Sequence, residues 1–257
     1  MSTIPGNELR NVNAIAPLAP NAWLRFDLVE RILPAGVSDV LEIGCGRGAF
    51  GARLAQRYNY LGVEPDLESY KVARQRIAAA GAGEVRNIAA EDLGDTQFDL
   101  VCAFEVLEHI EDDAAAVKSW LARVRPGGWL LLSVPADQHR FSPFDKLAGH
   151  FRRYDPEVMQ ALLASAGLTH VSVRRYGYPL NSVTEAARVM IGKRRLAQAD
   201  AAGTSLEELT SGSGRVMQPD EGVAGVATRI GTAPFRRLQR MFPGKGVGLV
   251  ALGQLNS

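Results

Sequence analysis

Apolar positions along the chain switch repeatedly between a helical period and short continuous runs, and that switching predicts strands alternating with helices. Trp23, Phe26, Leu28, Val29, Ile32 and Leu33 recur at helical spacing from Asn21 onward, and Pro34 with Gly36 ends the run. Val40, Leu41 and Ile43 then read as a short buried strand. It breaks into Gly44, Gly46 and Gly48 before helical spacing resumes near Phe50 and runs to about Gln56. The unit repeats as strand 60–63 with helix 67–80, strand 85–89, strand 98–103 with helix 113–124, and strand 129–134. Helix 157–166, strand 168–178 and strand 247–252 complete the pattern. Such alternation predicts an α/β fold with a doubly wound parallel sheet and right-handed crossovers.

Three segments stand outside this rhythm. Residues 1–38 read as an N-terminal arm, punctuated by Pro5, Pro17 and Pro20, followed by the first helix. Residues 135–155 are polar, aromatic and long for a connection, which predicts a substrate loop at the carboxyl edge of the sheet. Residues 179–243 read as a helical and flexible insertion before the last strand, mobile over 199–222. Its helix 234–242 is basic and amphipathic; core packing is the first reading, contact with a membrane or an apolar acceptor the second.

Length and composition narrow the class. A chain of 257 residues, 46% hydrophobic and 22% charged, supports one substantial core, so 1–257 is read as a single domain. A net charge of +1 gives no field to attract nucleic acid. The two cysteines, Cys45 and Cys102, fall in or beside core strands, which argues for a reducing compartment and against a disulfide framework. No basic leader precedes an apolar run and no segment approaches a membrane span, so a cytoplasmic protein without stable membrane insertion is expected. Monomer or homodimer is left open. The histidines and acids fall at no recognised ligand spacing, so no metal is expected.

Chemistry concentrates at the glycine turn. Glycines at alternate positions let a ligand lie against the backbone. Glu42, on the strand just before the turn, would oppose a pyrophosphate where the helix N-terminus favours anions, and suits a cationic ligand group instead. Glu64 ends the second strand, where an acid can accept hydrogen bonds from ribose hydroxyls. The rival register, Gly46 to Gly51, also satisfies G-x-G-x-x-G and keeps a dinucleotide open.

The pattern E-x-G-x-G-x-G from Glu42 to Gly48 resembles the cofactor loop of class I S-adenosylmethionine-dependent methyltransferases. The stretch FDLVCAFEVLEHI, with Glu105, Glu108 and His109 at the end of a fourth strand, resembles that family's fourth motif, and Arg125-Pro126-Gly127-Gly128 its usual turn before strand five. The resemblance implies a Rossmann-like seven-stranded sheet with strand seven antiparallel between five and six, under a helical and loop cap. It implies S-adenosylmethionine as cofactor and S-adenosylhomocysteine as product. Cofactor contacts fall on Glu42, Gly44, Cys45, Gly46, Gly48, Glu64, Pro65, Phe104, Glu105 and His109. The adenine contact is expected from Glu91, Asp92, Leu93 or backbone amides, because Ala89 and Ala90 stand where the family commonly places an acid. The N-terminal arm often covers the active site in such proteins, which brings Trp23 and Arg25 toward substrate.

The expected reaction is methyl transfer to an oxygen or nitrogen of a small molecule: a sugar, phenol, quinone precursor or natural-product intermediate. A hydroxyl acceptor needs a base, and histidine titrates near neutrality, so His150, His109 and His139 are the catalytic candidates. The substrate loop also carries Arg140, Asp145, Arg152, Arg153 and Tyr154; of these Arg152, Arg153 and Tyr154, together with His139, are assigned to the acceptor. A nicotinamide-dependent oxidoreductase and a non-catalytic methyltransferase-like binding protein are the alternatives.

Overall fold

Successive residues of the first strand, β1 (Asp39–Ile43), face opposite sides of a sheet, and each side finds its own core. Leu41 and Ile43 enter a cluster with Trp120, Leu130, Met159 and Leu163, whereas Val40 enters a second with Leu24, Ala52, Ile77 and Leu100. The computed structural model describes residues 16–81, 83–202 and 223–256, and their side chains except at 195–202 and 223–226.

The strands are β1, β2 (Asn59–Val63), β3 (Glu84–Arg86), β4 (Phe98–Phe104), β5 (Val124–Pro135), β6 (Leu168–Gly177) and β7 (Gly246–Leu255). Their order is β3-β2-β1-β4-β5-β7-β6. Pairings from β3 through β5 are parallel, and β7 runs antiparallel to both β5 and β6. This is the seven-stranded class I methyltransferase sheet, with the predicted position and direction of the last strand. The order reverses at β1 and β4, and a cleft therefore opens at their carboxyl ends.

Helices α1 (Pro20–Ile32), α2 (Gly51–Leu54) and α3 (Leu67–Ala80) cover one face. On the other lie α4 (Asp113–Leu121) and α6 (Pro156–Ser165). Above the edge are α5 (Pro143–Ala148), α7 (Leu180–Ala202) and α8 (Val223–Met241). The basic helix docks on α1: buried Gln239 donates to the Leu24 carbonyl at 3.0 Å, and Arg240 pairs with Asp27.

Several boundaries differ from the sequence pattern. The helix after the glycine turn is a single turn ending at Leu54. The third strand stops at Arg86, because Asn87 turns its side chain onto the Glu64 and Pro65 carbonyls at 2.8 and 2.9 Å. β5 begins at Val124, since Arg125 is fixed by Asp39 and Asp99 and carries the Pro-Gly-Gly segment into the sheet. The 135–155 loop contains its own helix, α5, and Pro234 lies inside α8 rather than at its start. Of the stretch expected to be mobile, 199–202 belongs to α7 and 203–222 lies outside the described residues, as does 1–15 of the arm. Among the described residues no helix is long and apolar enough to cross a membrane.

Candidate active site

The glycine turn is braced from β2. Gly46 donates its backbone N–H to Glu64 Oε2 at 2.8 Å, and Asp66 donates to Oε1 at 2.9 Å. Each carboxylate oxygen then retains a lone pair for another donor. Burial raises the Glu64 carboxyl above its ordinary range, against the lowering effect of these two amides. Gly48, at φ +73°, approaches α3 so closely that a Cβ would stand 2.9 Å from Ala73 Cα. A Cβ on Gly46 would meet nothing within 4 Å. The turn thus offers an open, side-chain-free cradle beside a carboxylate with spare lone pairs, a donor set that fits the polar groups of S-adenosylmethionine.

Glu42 sits beneath this cradle. It shares its side of β1 with Val40, is 2% exposed, and accepts the Tyr60 hydroxyl at 2.6 Å. Burial pushes its carboxyl up to about 7. Cys45 is buried beside it, and burial, reinforced by Glu42 and Glu64, drives the thiol far above its ordinary range, which removes it as a nucleophile. Phe104 packs its ring 4.2 Å from that of Phe50, closing the turn from the β4 side.

At the end of β4, Glu105 takes φ +57°, a conformation a side chain adopts only when its surroundings hold it. Three elements do so. Ser133 of β5 donates to Oε1 at 3.0 Å, Tyr176 of β6 donates to the same oxygen at 3.2 Å, and Arg25 of α1 pairs with it at 3.0 Å. Arg25 is 8% exposed, so α1 closes the site from above with a buried cation.

The 135–155 loop converges on Asp145, which is 1% exposed. It accepts Ser142 N and Oγ at 2.8 and 2.6 Å, Arg153 Nε and Nη2 at 2.8 and 2.9 Å, and His150 Nδ1 at 3.1 Å. Although burial opposes it, His150, Arg153 and Ser142 together hold its carboxyl below the ordinary carboxylate range. Arg153 also reaches Glu185 of α7, as does Arg140. Glu105, Ser142, Asp145, His150, Arg153 and Tyr176 line one cleft.

Beside it, the turn after β4 meets the loop. Phe151 N–H donates to the Glu108 carbonyl at 2.8 Å, and the His109 and His150 rings stand edge to face at 4.7 Å. His109 is exposed, yet desolvation of its ring against the surrounding loop and then the neighbouring His150 push it down to about 4, so it is neutral at physiological pH. The Glu108 carboxyl is raised by burial and by Glu105. A carboxylate oxygen of Glu108 and one nitrogen from each histidine lie within 4.8 Å of one another, a grouping that no linear spacing displays.

Not every expected residue meets the cleft. His139 is exposed beside Asp137 and Asp155. Arg152 pairs with Asp113 at 2.9 Å and Tyr154 donates to it at 2.8 Å, so both tie the loop to α4 rather than line the cleft. Trp23 is buried between the guanidinium groups of Arg53 and Arg236, at 4.7 and 5.2 Å. Glu91 and Asp92 are exposed on a single 3-10 turn whose Leu93 is buried. Pro65 follows Glu64 at the rim. Sequence reasoning left out Ser133, Tyr176 and Glu185, which arrive from distant elements without a motif. Ser142 with Asp145 does carry a signal, the S-x-x-D spacing of a capping box.

A Rossmann-like sheet of this order, with a glycine cradle and an acid at the end of β2, defines the class of protein. The methyltransferase domain family model matches residues 17–173. Over 136 residues, 51% of this chain and 56% of the relative, the chain is 35% identical to the ubiquinone biosynthesis O-methyltransferase of Leptothrix cholodnii. It is 36% identical over 133 residues to the Pseudomonas aeruginosa protein of the same name, covering 50% of this chain and 55% of that one. The chain spans about half the length of the curated relatives it matches. A SAM-dependent methyltransferase of Thermotoga maritima, 20% identical, shares the fold at a TM-score of 0.55 over 91% of this chain and 89% of that one. The chain belongs to the methyltransferase domain family, class I, and its cofactor is S-adenosylmethionine. The nicotinamide reading is thereby set aside.

Proposed function

We propose that the chain methylates a hydroxyl oxygen of a small-molecule acceptor seated in the cleft above Glu105. The observation that carries this reading is the Asp145–His150 pair. Asp145, ionised and buried, accepts a hydrogen bond from the Nδ1–H of His150 and leaves Nε2 with a free lone pair on a ring that lines the cleft. An amine attacks with its own lone pair, whereas a hydroxyl must first surrender a proton. The names of the curated relatives, O-methyltransferases of ubiquinone biosynthesis, agree with an oxygen acceptor.

S-adenosylmethionine supplies an electrophilic methyl carbon on a positively charged sulfur. The protein's task is to align the acceptor behind it and exclude water. Gly44, Cys45, Gly46, Gly48 and Glu64 would hold the cofactor, with Pro65, Glu91, Asp92 and Leu93 along its rim. Arg25, Tyr176 and Ser133 fix the carboxylate of Glu105 toward the acceptor, and Arg153 holds the floor of the loop.

Calorimetric titration with S-adenosylmethionine, S-adenosylhomocysteine and NADH, on the wild type and on Glu64→Ala, checks the cofactor. A panel of phenols, catechols, sugars and amines then checks the acceptor. Turnover confined to hydroxyl compounds, lowered about 100-fold in kcat by His150→Ala with S-adenosylhomocysteine binding unchanged, is expected. Methylation of amines alone, or hydroxyl turnover indifferent to His150, overturns the reading; cofactor binding without any turnover favours the binding-protein alternative.

A further inference from the structure

Asn181, Glu185, Arg188 and Gly192 recur along α7 at intervals of four, three and four, so they share one side of the helix. Gly192 lets that side approach the 135–155 loop closely, because a Cβ there would stand 2.7 Å from the Phe144 backbone nitrogen on α5. Asn181, Glu185 and Arg188 thereby line the cleft that also holds Glu105, Asp145 and His150.

Ion pairing within this cleft leaves one cation over. Asp145 accepts Arg153 at 2.8 and 2.9 Å, and Glu105 meets Arg25 at 3.0 Å. Both oxygens of Glu185 are taken, Oε1 by Arg153 and Oε2 by Arg140. Arg188 stands three residues on from Glu185, where the two would otherwise pair. It is half-buried and makes no hydrogen bond or ion pair among the described residues. One turn further back on the same face, Asn181 is 4% exposed, and its side-chain amide also lacks a partner among the described residues. A buried amide in that state is costly unless a ligand completes it. Asn21 of α1, at the same cleft, is likewise without a side-chain partner.

We infer that Arg188 and Asn181 bind a carboxylate carried by the acceptor, at the α7 side of the cleft, while the acceptor's hydroxyl faces His150. The inference rests on the hydroxyl-methylation reading above and names the acceptor class within it, a hydroxy acid. A guanidinium presents its N–H donors in a planar fork that matches a carboxylate, and the Asn181 amide adds a neutral donor. A monoanion suits a single unpaired cation. A phosphate monoester, at about −1.5 to −2, would set its second charge against Glu105, Asp145 and Glu185. Phe144, Val189 and Val247 supply apolar wall, so the body between carboxylate and hydroxyl is apolar.

The test is calorimetric titration of the S-adenosylhomocysteine-loaded full chain with hydroxybenzoate, hydroxyphenylacetate and hydroxycinnamate, each against its primary amide, and with hydroxyphenyl phosphate. At neutral pH at least one acid is expected to bind about tenfold or more tighter than its amide. Arg188→Gln should erase that difference while the amide's affinity stays as it was. Its thermal midpoint and S-adenosylhomocysteine affinity should also be unchanged, because Arg188 has no protein partner to lose. Arg188→Lys, which keeps the charge without the fork, should retain part of the preference. Arg194→Gln removes an exposed cation from the same helix and should retain all of it. No acid preferred over its amide, a preference surviving Arg188→Gln, or one lost equally in Arg194→Gln overturns the assignment, as does tighter binding of the phosphate. Selective binding of an acid with no methyl transfer to any hydroxyl would leave the carboxylate site standing and overturn the hydroxyl-methylation reading alone.

Discussion

Arg25 Nη1 lies 3.0 Å from Glu105 Oε1, a contact that joins the first helix to the strained residue at the end of β4 across 80 positions of sequence. Arg25 is buried, and burial works against its charge while Tyr176 and Glu105 support it. Removing one partner of such a pair leaves the other charge desolvated and unpaired. Arg25→Met is therefore expected to lower stability by about 2–3 kcal/mol, with Glu105→Gln similar. In a double-mutant cycle by urea denaturation, the two changes together should cost less than their sum by at least about 1 kcal/mol. Additive losses would mean that α1 is held by its apolar face alone.

Glu42 makes the protein sensitive to pH in an unusual direction. Its carboxyl lies near 7 in the fold against an ordinary 4.5, because burial raises it by more than the Tyr60 hydrogen bond lowers it. Between these values the folded chain keeps a proton that the unfolded chain has released, so stability falls as pH rises through the window. The fall amounts to about 3 kcal/mol and is complete above pH 7. Glu42→Gln still accepts the Tyr60 hydroxyl and carries no charge. Its urea midpoint should exceed the wild type's at pH 8 and match it near pH 4.5. If Glu42 also contacts the cofactor's ammonium group, the same variant will lose affinity for S-adenosylmethionine.

The run of alternating strands and helices and the glycine turn were legible because they rest on local signals: apolar runs, the glycines at 44, 46 and 48, and an acid closing β2; the place of β7 between β5 and β6 came only from the family resemblance. Parity along β1 was legible too, though its consequence was not. That Glu42 faces Tyr60 follows from sharing a side with Val40, but the partner comes from the next strand. The anchors of Glu105, from positions 25, 133 and 176, are brought together only by the sheet's crossovers and by β7 separating β5 from β6. The Glu108, His109 and His150 grouping was missed for the same reason. Two of its members are adjacent and the third lies 41 residues on, a separation that means nothing until Phe151 bonds to the Glu108 carbonyl.

Tyr154 separates a structural from a substrate role for the loop. Its hydroxyl donates to Asp113 at 2.8 Å, and its ring is buried beside α4. Tyr154→Phe removes one hydrogen bond while Arg152 still satisfies the carboxylate. A loss of about 1 kcal/mol in stability is expected, with KM for the acceptor unchanged. A rise in KM without loss of stability would place the hydroxyl in the cleft.

Two glycines of the same turn give opposite expectations. Both have positive φ, which costs a side chain about 1–2 kcal/mol. On Gly48 an added methyl also meets Ala73 Cα at 2.9 Å, so Gly48→Ala must push α3 away from the turn. It is expected to lose more than about 3 kcal/mol. Gly46→Ala meets no protein atom within 4 Å, and its stability cost should be limited to the backbone conformation. The methyl group would instead fill the cradle. Calorimetry should therefore show Gly46→Ala folded but at least about tenfold weaker for S-adenosylhomocysteine, the equivalent of 1.4 kcal/mol. Unchanged affinity would mean that the cofactor does not lie against Gly46, and would move the binding surface toward the open side of Glu64.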